Sequence, residues 1–435
     1  MIEIIICSIL LLVFIYMLRR EFLSPTFAVA LCFLVAASFC LIYKEEWAIN
    51  LQSKTVNIIL IGLLSCFFGE ITAATLEQRK EKNYLNSIEG FNEAQEFYID
   101  RYKIVLFILM QIIVLYFYYK EVSRIAGSFT SFAVMMNSYK SAIYESTDIA
   151  DNVNIIVKQL AKISYAGTII CLGVFINNCV TTKKVKNNII YIIPAILYVA
   201  LTVLQSSRAS MLQVGMAALV MFYAFWKGES DWKQRISIKV IFGALGVLAL
   251  ILALFWFLKE AVGRTSQKEF LEYIGFYFGG GIPFFDKYIS SPSSKFTGLV
   301  GAETFTSLWG FLSKFTKYNV VGHLEFRHSG GIHGNTYTAY REYYNDFGIT
   351  GVIILEFIFA FFYTKLFAKL KRLVIEKKDK YLLKVIIIAA FSYPIFYETI
   401  AAQLYRSILS VGTVTYIMII YFMNWFFFKL RIKIR

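Results

Sequence analysis

The stretch Gly331-Ile-His-Gly-Asn-Thr-Tyr-Thr-Ala-Tyr-Arg-Glu-Tyr-Tyr-Asn-Asp-Phe-Gly-Ile-Thr-Gly351 gathers a histidine, an arginine, two acids and four tyrosines just before an apolar run. Those types could transfer a proton (His333, Asp346), hold an anion (Arg341) and contact a sugar (Asn335, Tyr337, Tyr344). A membrane-interface aromatic belt is the plainer reading of the tyrosines. Asp346-Phe-Gly348 looks like a kinase motif, but no nucleotide loop precedes it.

Arg208 is the second notable residue. It stands in Leu204-Gln-Ser-Ser-Arg-Ala-Ser-Met-Leu212, between two apolar segments with almost no loop to hold it in water. An arginine at the bilayer centre costs at least ~2.5–3.5 kcal/mol on insertion scales. It therefore either snorkels at a tight turn or lines a polar cavity, and the adjacent serines point to the cavity. Arg264, Glu398 and Arg406 add charge near predicted span ends. Guanidinium grips phosphate oxygens bidentately and stays charged, so convergent arginines suit a phosphate or pyrophosphate.

The three histidines, His323, His328 and His333, recur at intervals of five among glycines, which is not helical metal-ligand spacing. No metal and no cofactor is expected. The six cysteines lie within or beside apolar runs and show no disulfide framework.

The elements that must position these residues are membrane helices. Over 435 residues, 58% are hydrophobic and the mean hydropathy is +0.60. A bilayer core needs about 20 apolar residues per helix. Such runs fall at roughly 2–18, 22–43, 55–75, 104–119, 162–180, 187–205, 209–226, 238–258, 349–368, 382–398 and 407–428. The expected fold class is all-α: a polytopic membrane helix bundle of about eleven transmembrane helices. It forms a single integral membrane domain over residues 1–435 with a large external loop at about 259–348. The leader Met1-Ile2-Glu3 carries an acid and no cleavage site follows, so the first run reads as a retained span. A second long connection, about 120–161, contains the amphipathic run Phe129–Tyr139, read as lying along the interface.

The net charge of +15 does not point to nucleic acid. The basic residues concentrate in alternate loops, such as Arg19/Arg20, Lys183/Lys184/Lys186, Lys369/Lys371/Arg372 and the tail from Lys429. By the positive-inside rule those loops are cytoplasmic. The eleven-span count then leaves the amino terminus, both long connections and the Arg208 turn outside.

Two segments resemble a known family. Asn335-Thr-Tyr-Thr-Ala-Tyr-Arg-Glu-Tyr-Tyr-Asn-Asp-Phe-Gly-Ile-Thr-Gly351 is similar to the segment closing the large outer loop of Wzy-type O-antigen and capsule polymerases. Gln205-Ser-Ser-Arg-Ala-Ser210 resembles the Ser-Arg element those proteins carry between two mid-chain spans. Related O-antigen ligases typically carry an adjacent His-Asn pair, whereas Gly334 separates His333 from Asn335 here, which favours polymerase over ligase.

The resemblance implies a GT-C-like architecture and glycosyl transfer at the outer face of the bacterial cytoplasmic membrane. The substrates would be undecaprenyl-pyrophosphate-linked oligosaccharides, and a chain-length regulator protein would be a partner. Arg208 and Arg341 would hold pyrophosphate, with Arg264 or Arg406 supporting. The base would be His333, Glu398 or Asp346. The competing non-enzyme reading is a lipid-linked oligosaccharide flippase, which predicts repeats and broken helices near the midplane. No repeat is evident, but Pro194 and Pro394 could kink two spans.

Overall fold

The computed structural model describes residues 1–19, 23–85, 95–145, 153–230, 268–292, 299–316, 323–377 and 380–430, with scattered positions between 232 and 259. The chain is an all-α polytopic bundle. Among the described residues, eight helices are long and apolar enough to cross a membrane. Two further apolar helices, Ile2–Met17 and Tyr381–Phe396, are shorter. The expected span at 238–258 lies largely outside the described residues. The two strands found among them, Arg327–Ser329 and Ile332–Gly334, form one short antiparallel hairpin.

The helices assemble into two compact units, each discontinuous in sequence. The first comprises residues 1–89, 268–369 and 392–414, the second residues 90–267, 370–391 and 415–435.

In the first unit, Pro25–Ile42 begins with Ser24 as its N-cap and Pro25 in the first turn, where a missing N–H costs nothing. Its cap is completed by Glu70 of the helix Ser53–Leu85. That carboxylate accepts from Ser24 Oγ at 2.7 Å and from the Thr26 amide at 2.9 Å. An acid in a membrane-length helix is satisfied there by the positive end of another helix. Asp286 does the same for the start of Ser53–Leu85, accepting from the Gln52 amide at 2.8 Å and Thr55 Oγ1 at 2.6 Å.

Ser53–Leu85 packs closely on the long helix Ala339–Glu376. A Cβ at Gly62 would meet the Tyr340 ring at 2.6 Å, and one at Gly69 the Phe357 carbonyl oxygen at 2.3 Å. The two glycines are seven residues apart and share a face, letting the backbones approach.

The second unit is tied by buried amides. Gln111 Nε2 donates to Ser164 Oγ, Thr168 Oγ1 and the Pro194 carbonyl at 3.0–3.2 Å, joining Arg101–Ala126, Ile155–Thr182 and Ile193–Leu204. Pro194 does not kink a continuous helix. It sits in the first turn of Ile193–Leu204, after the 3-10 turn Ile189–Ile192. The run read as lying along the interface supplies the helix Phe132–Glu145.

The Arg208 turn is tight, as expected. Ser206 has φ +51°, and Ser207 caps the helix Arg208–Gly228 by accepting from the Ser210 amide at 3.4 Å. The Ser207 and Ser210 hydroxyls bond each other at 2.7 Å. Ser207 and Ser210 are thus engaged in capping. The Arg208 side chain and all of Arg264 lie outside the described residues.

Candidate functional site

The polar segment ahead of the long apolar helix folds in two parts. Residues 327–334 form the hairpin, pairing Arg327 with Gly334, His328 with His333 and Ser329 with Ile332. The turn falls on Gly330-Gly331, and Gly330 takes φ +51° where a Cβ would lie 2.4 Å from the Glu46 carbonyl oxygen. The hairpin is anchored there by the Gly331 amide on Glu46 O (2.7 Å) and Ser329 Oγ on Trp47 O (2.8 Å).

His328 and His333 face each other across the strands on the exposed side, their rings stacked at 3.9 Å and 18°. Phe326 packs 5.2 Å from His333. Partial burial, and then the neighbouring His328, push the His333 imidazole below its ordinary titration range. Sequence spacing separates the two histidines; the hairpin register makes them one pair.

Helix begins at Ala339, ten residues before the expected span start at 349, so Tyr340 to Asp346 are helical rather than loop. The helical geometry is interrupted at Gly348, with φ +65° and ψ −157°. Nothing lies within 4 Å of a Gly348 Cβ, so that glycine serves its backbone angle. Gly351 allows the chain to fold back on itself, since its Cβ would meet the Tyr343 carbonyl oxygen at 2.6 Å.

Tyr340, Arg341, Glu342 and Tyr343 are all buried, so this short helix is enclosed on every side. Arg341 is ion-paired with Glu303 and, at 2.8 Å, with Glu325. Its guanidinium lies 4.3 Å from the Tyr288 ring and 5.1 Å from the Tyr337 ring. Glu325 also meets Arg327 Nε at 3.2 Å, and its carbonyl accepts from the Tyr337 hydroxyl at 2.9 Å. Burial raises both Tyr288 and Tyr337 above the ordinary phenol range, so each remains a neutral hydroxyl. Arg341 therefore organises a cage of acids and rings; in this conformation its charge is already matched.

The other expected residues divide as follows. Arg406, a quarter exposed, pairs with buried Glu342 at 3.4 Å. Asp346 accepts from the Glu303 and Thr304 amides at 3.1 and 2.7 Å and from Asn345 Nδ2 at 3.2 Å, which is anchoring work. Tyr344 is half-buried with Lys54 Nζ 5.4 Å from its ring. Asn335 is half-buried in the extended link between hairpin and helix. His323 precedes the hairpin and stands outside the histidine pair. Among the described residues, no three His, Cys, Asp or Glu side chains gather as a metal site.

Glu398 is fully buried, and it faces a residue that sequence reasoning misses. Glu356 is also fully buried, and the two carboxyls come within hydrogen-bonding reach of each other. A signal is present: Glu356 is a lone acid inside Val352-Ile-Ile-Leu-Glu-Phe-Ile-Phe-Ala360, and an acid in hydrocarbon is a functional candidate by default.

Comparison with family models, curated proteins and solved structures returns no match to the chain.

Proposed function

We propose that the protein is a membrane glycosyltransferase that polymerises undecaprenyl-pyrophosphate-linked oligosaccharide repeat units at the outer face of the bacterial cytoplasmic membrane. One observation carries this reading. Arg341, Arg327 and Arg406 are arrayed with Glu303, Glu325, Glu342 and the rings of Tyr288 and Tyr337 where a membrane-length helix begins. Acids and aromatic faces suit sugars, and arginines suit the anionic leaving group.

In the reaction, an acceptor hydroxyl oxygen attacks the anomeric carbon of the donor glycan. The bond from that carbon to the pyrophosphate oxygen breaks, and the lipid pyrophosphate leaves with the electron pair. The hydroxyl proton passes to a base. His333 fits best among the three candidates, being exposed and held neutral, whereas Asp346 is engaged by amides and Glu398 is enclosed. Arg406 would meet the pyrophosphate, and Arg341 would hold the acids and rings in place.

A second reading, transport of lipid-linked oligosaccharide, draws on the interrupted chain after Tyr381–Ala390. That helix is followed by a 3-10 turn at Tyr393–Phe396 containing Pro394, and then by buried Glu398. Deleting the protein and resolving the surface glycan by gel separates the two. Polymerase function predicts loss of the length ladder, with single repeat units still reaching the final anchor. Polymer left on the lipid carrier would indicate a ligase, and single units retained on the cytoplasmic face a transporter; either result overturns the polymerase reading.

A further inference from the structure

Four buried acids of the first unit are matched directly. Glu70 and Asp286 cap helices, Glu303 pairs with Arg341, and Glu342 pairs with Arg406. Glu356 and Glu398 have no such partner. Both are 0% exposed, and no amide, hydroxyl or cation among the described residues donates to any of their four carboxyl oxygens. Each carboxyl has the other within hydrogen-bonding reach.

A second observation points the same way. The hydroxyls of Tyr340 and Tyr343 are fully buried, bond to nothing among the described residues, and have these two carboxyls as electrostatic neighbours. The Thr399 hydroxyl, one residue from Glu398, is buried and unbonded as well. These buried oxygens, all acceptors or capable of accepting, have no hydrogen-bond partner among the described residues. Two ionised carboxylates left alone in a low-dielectric interior are prohibitive, and a charge of opposite sign is the ordinary remedy.

We infer that Glu356 and Glu398 form a buried site for one small monovalent cation, either a proton shared between the carboxyls or an alkali ion held by carboxyl and hydroxyl oxygens. Carboxyl and hydroxyl oxygens select hard cations, and a proton is the simplest of them because a carboxyl–carboxyl hydrogen bond needs one. The groups facing the pair from neighbouring elements supply no alternative charge. Cys66 faces it from Ser53–Leu85, and Cys32 from Pro25–Ile42. The long helix contributes Tyr363 and Glu342, and the 404–408 turn contributes Tyr405. Arg406, in the same turn as Tyr405, is already engaged by Glu342.

The test uses the full-length protein in its native membranes. A hydrophobic carbodiimide, which reacts with protonated carboxyls in apolar surroundings, is applied with and without sodium, and the modified peptides are located by mass spectrometry. Labelling of Glu356 or Glu398 that disappears in Glu398→Gln and falls only as pH rises identifies a proton site. Labelling that sodium also suppresses identifies an alkali-ion site. Because the reagent could fail to reach the pair, the purified protein is also examined by infrared difference spectroscopy. A carboxyl band that shifts in D2O or on sodium addition, and is lost in Glu356→Gln and Glu398→Gln, supports the site. Absence of both the label and the band overturns it. Neither readout depends on glycan synthesis, so the site and the polymerase reading fail separately.

Discussion

Removing the Arg341 guanidinium would strand Glu303 among rings with no cation. Breaking a buried ion pair from one side typically costs about 3–5 kcal/mol. Arg341→Met should therefore lower the denaturation midpoint in detergent markedly, and Arg341→Met with Glu303→Gln should recover much of the loss. A single variant as stable as the parent would remove Arg341 from its organising role. The surface histidine of the pair answers to pH. Burial and the facing His328 favour neutral His333 in the fold, so the unfolded chain binds more protons there as pH falls below the ordinary histidine value. His333 thus opposes folding as pH drops through that window and contributes no such penalty above it. Imidazole NMR should find His333 titrating below about 6.5, and His328→Gln should move it upward; an unmoved midpoint would discount the stacked pair.

At the scale of elements, the backbone angle at Gly348 divides the helix that carries Arg341 from the helix that carries Glu356. Its φ of +65° with ψ of −157° falls in a region essentially restricted to glycine, where another residue costs about 1–3 kcal/mol. Gly348→Ala should lose that amount in equilibrium unfolding although its Cβ would touch nothing within 4 Å. Gly69→Leu, by contrast, would collide with the Phe357 carbonyl, and overpacking of this kind costs about 1–3 kcal/mol. The apolar spans were legible because a run of about 20 hydrophobic residues has few alternatives. The helical start at Ala339 was not legible. Its residues are polar, and only their tertiary partners, Glu303, Glu325 and Arg406, let a polar helix be enclosed. The Gly348–Gly351 pair was visible, but a letter G does not state which backbone angle it serves.

At the scale of the whole molecule, nothing in the residue order announces two compact units whose segments alternate. Nor does it announce the pairing of Glu356 with Glu398, which are 42 residues apart (398 − 356). Orientation, however, is open to an argument from parity. The basic loop at Lys184 and the hairpin at His328 are separated by the apolar helices Val185–Leu204 and Ala209–Gly228 and by the expected span at 238–258. Three crossings place the two positions on opposite sides of the membrane; two crossings place them together. In a cysteine-free background, His328→Cys should react with a membrane-impermeant thiol reagent in intact cells, and Lys184→Cys only after permeabilisation. Labelling of both from outside, or of neither, would mean that 238–258 does not cross. Exclusive labelling of Lys184→Cys would invert the topology, carry the histidine pair and the Arg341 cage to the cytoplasmic side, and end the case for polymerisation at the outer face.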